Sequence, residues 1–464
     1  MDSFLQTRLD LRDDFEELIY LFRDQENKLQ QFQKEINITR KYIPKTNFSL
    51  ITAKLEELLK IIKKYRNNLL SLQSLNKNID KLREEKYKCR DILRYIASAS
   101  GSLITSSDWQ SPSYETSLYS NAGRQSGKIT GTINDYKRDV HLDELEFEKL
   151  FLKEYIDARF KLFLHTYLTN SGQGAFLTIL TYLLSEKKIG GRVIAGKSSY
   201  FQYKQILSGV FGKNLVLADE KDTKDIIKKI QTIKPSLIFL DSLCNSYDLA
   251  LPDLKTIFDF IYKRADWKNY IIIDNTCLAT EFQPFKYRGR NTNVRLISFE
   301  SLNKYYQFGQ DRVTAGIIVC ENKDAGGIFE YRKHAGTNIS DSSVYALPLP
   351  NRRLLAKRLE RHIRNAKEIS AEINAVYPGI GSFFKIQIEN RYINKFIKIL
   401  LKIARNHNVN IVAGTSFGLN TTRVYLTSIW SKSGKPFLRV SVGTEDYLEI
   451  QKIKEVFAES FGKF

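Results

Sequence analysis

From about residue 158 the sequence alternates short apolar runs with helical stretches, and this alternation limits the possible folds more than any other feature. Short apolar strands that alternate with helices are typical of a mostly parallel sheet covered on both faces. In such sheets ligands bind at the carboxyl ends of the strands. We therefore predict an α/β domain with a ligand site at that edge. The candidate strands are residues 160–165, 192–196, 215–219, 236–241, 270–274, 294–299 and 315–320.

The segments around this alternation have other patterns. Residues 1–97 show helical spacing of apolar residues with a break at Pro44, which predicts a helical hairpin or coiled coil for packing or assembly. Residues 98–135 are rich in Ser, Gly and Thr, which indicates a linker or an ordered active-site arm. A long amphipathic helix is predicted at about 351–376. The predicted domains are 1–97, 98–135, a large α/β domain at 136–345, and the long helix with a small α+β domain at 346–464.

The composition restricts the possible partners. The net charge of +20, from 72 basic and 52 acidic residues, is spread along the chain, and lysines mostly alternate with acids as on solvated helix faces. We therefore expect no nucleic-acid partner. No apolar run reaches the roughly 18–20 residues that span a bilayer, and the acidic N-terminus is unlike a signal peptide, so we expect a cytoplasmic location and no membrane partner. Four cysteines without a CxxC pair and five scattered histidines predict neither a disulfide framework nor a metal site.

Two candidate functional features lie at the ends of predicted strands. Ser171, Gly172 and Gln173 follow the first candidate strand, and small residues at a helix start let backbone N–H groups meet a phosphate. Asp274 ends the strand at 270–274, where a buried carboxylate needs a partner such as a protonated pyridine nitrogen. Taken singly, a plain glycine turn and a helix-capping aspartate are the commoner interpretations.

Two basic residues, Lys304 and Arg439, can also be interpreted either as functional groups or as ordinary surface residues. Lys304 follows Ser301 just after the strand at 294–299, where the lysine could form an imine and the serine could bind a phosphate oxygen. It could also be one solvated lysine among many. Arg439 lies inside an apolar strand, where a guanidinium usually meets a carboxylate, although it could extend to solvent instead. The order of these features along the chain is more informative than any one of them.

From about residue 136 to 450 the chain resembles the cysteine/methionine-metabolism family of pyridoxal-phosphate enzymes. That family includes cystathionine synthases and lyases, methionine γ-lyase and homoserine sulfhydrylases. Asp241 stands where the family has Glu, Asn303 where it has a phosphate-binding Thr, and Lys137 where it has Ser, so the chain resembles a divergent member. The segments that carry the resemblance are Asp135-Tyr136-Lys137-Arg138, Ser171-Gly172-Gln173, Tyr200, Asp241 to Asn245, Asp274-Asn275-Thr276, Ser301 to Tyr305, Ser416 to Gly418 and Arg439 to Asp446.

The resemblance implies an aminotransferase-like, fold type I large domain and a role for each matching residue. Lys304 would hold pyridoxal 5'-phosphate as a Schiff base and act as a base, and Tyr200 would stack on the ring and assist catalysis. Arg439, with Ser416 nearby, would bind the substrate carboxylate. The residues implied to bind the cofactor are Gly172, Gln173, Tyr200, Asn245, Asp274, Thr276, Ser301, Asn303, Lys304 and, from the neighbouring subunit, Tyr136 and Arg138.

The implied function is β- or γ-elimination or replacement on a substituted amino acid, with C–S or C–O chemistry of the trans-sulfuration type. The shared site further implies a homodimer or homotetramer. Two alternatives stay open. One is a different reaction with the same cofactor, such as transamination or decarboxylation. The other is a non-catalytic assembly or nucleic-acid-binding protein that uses the helical N-terminus and the basic surface.

Overall fold

The computed structural model describes residues 2–40, 43, 45–72, 78–106, 139, 141–427 and 435–464. Its helices are α1 Ser3–Thr39, α2 Lys45–Leu72, α3 Ile79–Thr105, α4 Asp143–Tyr155, α5 Gly172–Ser185, α6 Phe201–Phe211, α7 Thr223–Ile233, α8 Leu254–Arg264, α9 Asn322–His334, α10 Asp341–Ala346, α11 Arg352–Ser370, α12 Ile393–Asn406 and α13 Tyr447–Gly462. Its strands are β1 Leu164–Thr169, β2 Val193–Gly196, β3 Leu215–Ala218, β4 Leu237–Asp241, β5 Asn269–Asp274, β6 Val294–Ser301, β7 Gly316–Glu321, β8 Ala375–Val376, β9 Phe383–Ile386, β10 Val412–Ala413, β11 Arg423–Thr427 and β12 Phe437–Ser441.

The larger sheet has the order β1-β7-β6-β5-β4-β2-β3 within the described part of the chain. β6, β5, β4, β2 and β3 run parallel, whereas β7 is antiparallel to both of its neighbours. Apart from the edge strands β1 and β3, its strands are almost wholly buried and rich in Ile, Val and Leu, as expected for a sheet covered on both faces. The predicted mostly parallel α/β fold is therefore confirmed.

Helices cover both faces of this sheet. Ile272 and Ile297 point to the face packed by α5, α6 and α9, whereas their neighbours Ile271 and Leu296 point to the face packed by α7 and α8. This alternation follows from the period of two along a strand. The carboxyl ends of β4, β5 and β6 are left at one edge of the sheet, as a ligand site requires.

The first strand begins later than the sequence predicts. Residues 160–165 were expected to form it, but Lys161–Phe163 is a 3₁₀ turn and β1 starts at Leu164. The partner strand β7 ends at Glu321, opposite Leu164, so earlier residues have no strand to pair with. Their apolar side chains are accordingly exposed, with Leu162 at 92%.

A second sheet has the order β10-β11-β12-β9-β8 and packs against α11, α12 and α13. All five of these strands lie in the region where the sequence predicts a small α+β domain, 346–464. The long helix α11 ends at Ser370, before the predicted limit of 376. Ile386 and Val440 form the core of this unit with Phe396 of α12.

The described part of the N-terminal region forms three helices, α1, α2 and α3, where the sequence pattern predicts two helices separated at Pro44. Helix α2 ends at Leu72 and α3 begins at Ile79, where Asn78 caps α3 by accepting a hydrogen bond from the Asp80 N–H at 2.8 Å. The third helix continues to Thr105, past the predicted boundary at 97. A Cβ on Gly101 would lie 2.4 Å from the Ser342 carbonyl oxygen of α10, so the small residues there permit close helix packing. The remaining domain limits stay predictions.

Part of the charge on α1 is buried, although the sequence pattern predicts a solvated face. Asp10, Asp14 and Glu17 recur on one face of the helix and are buried. They pair with arginines of α11: Asp14 Oδ1 accepts from Arg361 Nη1 at 2.7 Å, and Glu17 accepts from Arg358 Nη1 at 3.2 Å. Helix α1 is therefore joined to the rest of the folded chain through buried ion pairs.

No helix in the described ranges is both long and apolar enough to cross a membrane. The cytoplasmic location stays a prediction.

Candidate active site

A cavity of about 400 Å³ lies at the carboxyl edge of the larger sheet, between that sheet and β11 and β12 of the smaller one. Its floor is formed where β4, β5 and β6 end. The residues that line it are Ser171, Gly172, Gln173, Tyr200, Phe201, Gln202, Tyr203, Asp241, Asn245, Asp274, Thr276, Cys277, Ser301, Asn303, Lys304, Thr314, Thr415, Ser416, Phe417, Tyr425, Thr427 and Arg439.

One side of the cavity is the start of α5. Ser171 caps the helix by accepting the Gly174 N–H at 2.9 Å, and the amides of Gly172 and Gln173 lie in the first turn. A Cβ on Gly172 would lie 2.8 Å from the Cβ of Ser301, so glycine is required for the helix to meet β6 this closely. Thr276 Oγ1 accepts the Ser301 N–H at 2.9 Å. A helix start lined by hydroxyl groups is a suitable site for a phosphate.

Lys304 lies just beyond β6 with its amine inside the cavity. Its Nζ donates to Ser416 Oγ at 3.0 Å and lies 5.2 Å from the centre of the Phe417 ring. Burial, and then the nearby Arg439 guanidinium, lower the pKa of Lys304. A lysine with a lowered pKa is neutral more often, which suits a nucleophile or a base.

Two carboxylates stand side by side on the cavity floor, since Asp241 of β4 is the register partner of Asp274 of β5. Asp241 Oδ2 accepts the Tyr200 N–H at 2.9 Å, and Asp274 Oδ1 accepts the Thr276 N–H at 2.9 Å. Burial raises the pKa of Asp274 to about 6. Burial and then the neighbouring Asp274 raise the pKa of Asp241. A positive charge bound at the cavity floor would lower the pKa values of both Asp274 and Asp241.

Arg439 enters the cavity from β12. Its Nη1 donates to Asn245 Oδ1 and its Nη2 to the Ser416 carbonyl, both at 3.0 Å. Its Nε is buried and has no partner among the described residues, and no carboxylate of that part of the chain forms an ion pair with it. Burial lowers the pKa of Arg439 to about 10. A buried guanidinium that lacks an anion is poised to bind one.

These features fit pyridoxal 5'-phosphate. The cavity offers a helix start for its phosphate, a carboxylate for its ring nitrogen, an amine for its aldehyde and the Tyr200 ring for its face. Two observations support the fit. Because residue 172 is glycine, no side chain fills the space beside Ser301. Asp241 Oδ1 is buried without a partner in the described structure.

The structure brings the predicted site residues together. Those within the described ranges all line the cavity, whereas Tyr136 and Arg138 lie outside the described residues. Some lining residues were not predicted, among them Cys277, Tyr425 and Phe417. Tyr425 of β11 is the register partner of Arg439, a pairing that cannot be recognised without knowing the strand register. Cys277, directly after Thr276, could have been found from its position.

Comparisons with known proteins agree with this geometry. A lysine and an aspartate beside a helix start, at the carboxyl edge of a mostly parallel sheet, define the fold type I class of pyridoxal-phosphate enzymes. Residues 103–409 match the family described as Cys/Met metabolism PLP-dependent enzyme. The chain belongs to this family, whose cofactor is pyridoxal 5'-phosphate.

Individual relatives are distant. The cystathionine gamma synthase of Xanthomonas oryzae pv. oryzae, solved with cystathionine, has 16% identity and a TM-score of 0.57 over 73% of this chain and 95% of that one. The cystathionine gamma-lyase of Lactobacillus plantarum, complexed with L-serine, has 16% identity and a TM-score of 0.55 over 73% and 96%. The bifunctional enzyme flvA of Aspergillus flavus is 23% identical over an alignment of 302 residues that covers 60% of this chain and 37% of that enzyme. The structural likenesses show the shared fold.

Proposed function

We propose that this protein uses pyridoxal 5'-phosphate to eliminate or replace a group at the β- or γ-carbon of an amino acid. One observation carries the proposal: a buried amine and a buried guanidinium meet on the same residue. Lys304 Nζ donates to the Ser416 hydroxyl, and Arg439 Nη2 donates to the Ser416 carbonyl, each at 3.0 Å. A base and a carboxylate anchor are thus held a fixed distance apart, as a reaction at the α-carbon requires.

The cofactor supplies an aldehyde that condenses with amines and a ring that withdraws electrons. Lys304 would hold it covalently, and Asp274 would hold its protonated ring nitrogen. Tyr200 would cover the ring, and Asn245 would bind the ring hydroxyl. The residues that would bind the phosphate are Gly172, Gln173, Thr276, Ser301 and Asn303.

Three side chains of the cavity act on the substrate in this proposal, each with a different role. Arg439 binds the substrate carboxylate and fixes its orientation. The Lys304 amine would act as the general base that removes the proton from the α-carbon. The lowered pKa of Lys304 keeps this amine unprotonated more often. Tyr200, whose pKa is raised by burial, keeps its proton and can donate it to the leaving group.

Product analysis tests this function. The purified protein is incubated with the cofactor and with amino acids that carry sulfur or oxygen leaving groups at the β- or γ-carbon. We expect either ammonia with a keto acid or an amino acid with a replaced side chain. An amine product would assign decarboxylation instead, and an aminated cofactor would assign transamination.

Replacement of Arg439 should separate substrate binding from cofactor binding. We expect Arg439→Ala to keep the cofactor's visible absorbance but to weaken the amino-acid-induced spectral change by about 30-fold or more, since a desolvated contact to a charged group is worth roughly 2–4 kcal/mol. Titration of the spectral change with amino acid gives the affinity. Arg439→Lys keeps the charge without the planar fork and should recover part of the loss. Unchanged affinity in Arg439→Ala would refute the role.

Cofactor affinity should fall in acid because of Asp274. Its pKa is raised from 3.8 to about 6 by burial, so the carboxylate takes up a proton as the pH drops through 6 and can no longer hold a positively charged ring nitrogen. We expect the dissociation constant to rise by up to about 10-fold per pH unit below 6. Asp274→Asn should bind weakly without this dependence. Equal pH profiles for the two proteins would exclude Asp274 as the ring partner.

We further propose a homodimer or homotetramer with shared active sites. The support is the resemblance of Tyr136 and Arg138 to residues that, in the family, reach the phosphate of the neighbouring subunit. Sedimentation should give at least twice the mass of the 53.8 kDa chain. An active monomer would contradict the shared site.

A further inference from the structure

Helix α1 precedes the residues that match the family, which begin at 103, yet it reaches the active site through a short series of contacts. The intermediary is Arg358 of α11, a fully enclosed arginine between Glu17 of α1 and the loop at 415–420. Its Nη1 donates to both carboxylate oxygens of Glu17, at 3.2 and 3.3 Å. Its Nη2 donates to the Gly418 carbonyl at 3.1 Å and to Asn420 Oδ1 at 2.8 Å. One guanidinium therefore joins α1 to the loop.

This loop carries Ser416, which accepts hydrogen bonds from both Lys304 and Arg439. Its Ser416 has a φ of +76°, which is unfavourable for a residue with a Cβ and persists only where the surroundings fix it. The surroundings here are tight. A Cβ on Gly418 would lie 3.0 Å from the carbonyl carbon of Lys304, so the loop backbone rests directly on the backbone of the cofactor lysine.

A second contact of α1 reaches the same region. The Tyr20 hydroxyl donates to the Leu349 carbonyl at 2.9 Å, and its ring lies edge-on to Phe308 with 6.4 Å between ring centres. Phe308 belongs to the turn that follows Lys304 and has a φ of +49°. Helix α1 thus contacts the turn after Lys304 directly, through Tyr20, and reaches the 415–420 loop through Arg358.

We propose that α1 is a positioning element of the active site, in which Glu17, acting through Arg358, sets the position of the 415–420 loop and so of the contacts to Lys304 and Arg439. The inference rests on the function proposed above. Glu17 balances the buried charge of Arg358. Without it the guanidinium lacks its carboxylate and is drawn toward other acids or solvent, away from the Gly418 carbonyl. Ser416 would then lose the support that holds its left-handed conformation.

The test compares the full-length wild type with Glu17→Gln, which keeps the shape of the side chain and removes its charge. The probe is whichever of L-alanine, L-serine and L-cysteine gives the wild type its largest spectral response. We expect Glu17→Gln to keep the cofactor's visible band and to bind that amino acid about 10-fold more weakly. Arg358→Lys, which keeps the charge but has fewer donors for the loop, should show the same weakening.

Lys357→Gln is the matched control. Lys357 joins the same two helices through Asp13 at 2.8 Å and Glu16 at 2.9 Å, but these groups are partly exposed and do not contact the loop. Its amino-acid affinity should stay within about twofold of the wild type, because an exposed pair contributes little. All titrations are run well below the unfolding midpoint of each protein.

The outcomes are distinguishable. A lower unfolding midpoint for Glu17→Gln with unchanged amino-acid affinity would show that the pair only stabilises the fold, and would overturn the positioning role. An equal weakening in Lys357→Gln would overturn it as well, by making the effect general to the helix interface. A wild type without a cofactor band, or without a response to any of the three amino acids, would instead remove the proposed function itself.

Discussion

Purified wild-type protein should be yellow, and Lys304→Ala should abolish the visible band and lower activity by about 10³-fold or more. The expected loss follows from two roles of one amine, since it holds the cofactor and moves the α-proton, and acid–base catalysis alone contributes about 10²–10⁴-fold. Borohydride should remove the wild-type band by reducing the bond between amine and cofactor. Absorbance before and after this treatment gives the measurement.

Lys385→Ala is the control for this experiment. Burial also lowers the pKa of Lys385, but its Nζ donates to the Tyr247 carbonyl at 2.9 Å and the residue does not line the cavity. It should keep the band and the activity. A colourless wild type that stays colourless after the cofactor is added would contradict the assignment of Lys304, and so would a Lys304→Ala variant that keeps the band.

The part of the site on the larger sheet could be predicted because it depends on local chain order. Asp274 and Lys304 each follow a recognisable apolar strand, and parallel strands place their carboxyl ends at one edge. The glycine turn before α5 lies at the same edge for the same reason. The positions and directions of the strands are therefore sufficient to predict that these residues lie close together.

The rest depends on contacts between distant segments, which periodicity does not encode. Tyr425 faces the cavity only because β11 pairs with β12 in a particular register. Likewise, acids such as Asp14 have the spacing of an ordinary solvated helix face, and the arginines of α11 that pair with them lie more than three hundred residues away in the chain. A pattern of charges shows that a face is polar but not whether another charged helix covers it.

The ion pairs between α1 and α11 lead to the second prediction, which concerns the free energy of unfolding. Asp14 is buried among three cations: its Oδ1 accepts from Arg361 at 2.7 Å and from Arg90 at 3.0 Å, and Lys86 Nζ lies 3.4 Å from Oδ2. Burial alone would raise the pKa of Asp14, but Arg361, Lys86 and Arg90 hold that pKa below its usual value of 3.8. The carboxylate is therefore charged at neutral pH and compensates cations that are themselves enclosed.

We expect Asp14→Ala to lower the free energy of unfolding by about 3–5 kcal/mol, because removing one partner of a buried ion pair leaves the other charges uncompensated. Denaturant unfolding near neutral pH measures the difference. The neighbouring Asp13→Ala is the control, since Asp13 is partly exposed, pairs mainly with Lys357 at 2.8 Å and lies 3.8 Å from Arg361, and its loss should cost less than about 1 kcal/mol. Because the pKa of Asp14 is depressed, the stabilisation by this carboxylate is present above pH 3.8 and is lost as the pH falls through the lower folded-state value. Equal losses in the two variants would mean that the N-terminal helices are held by apolar packing, with no special contribution from the buried charges.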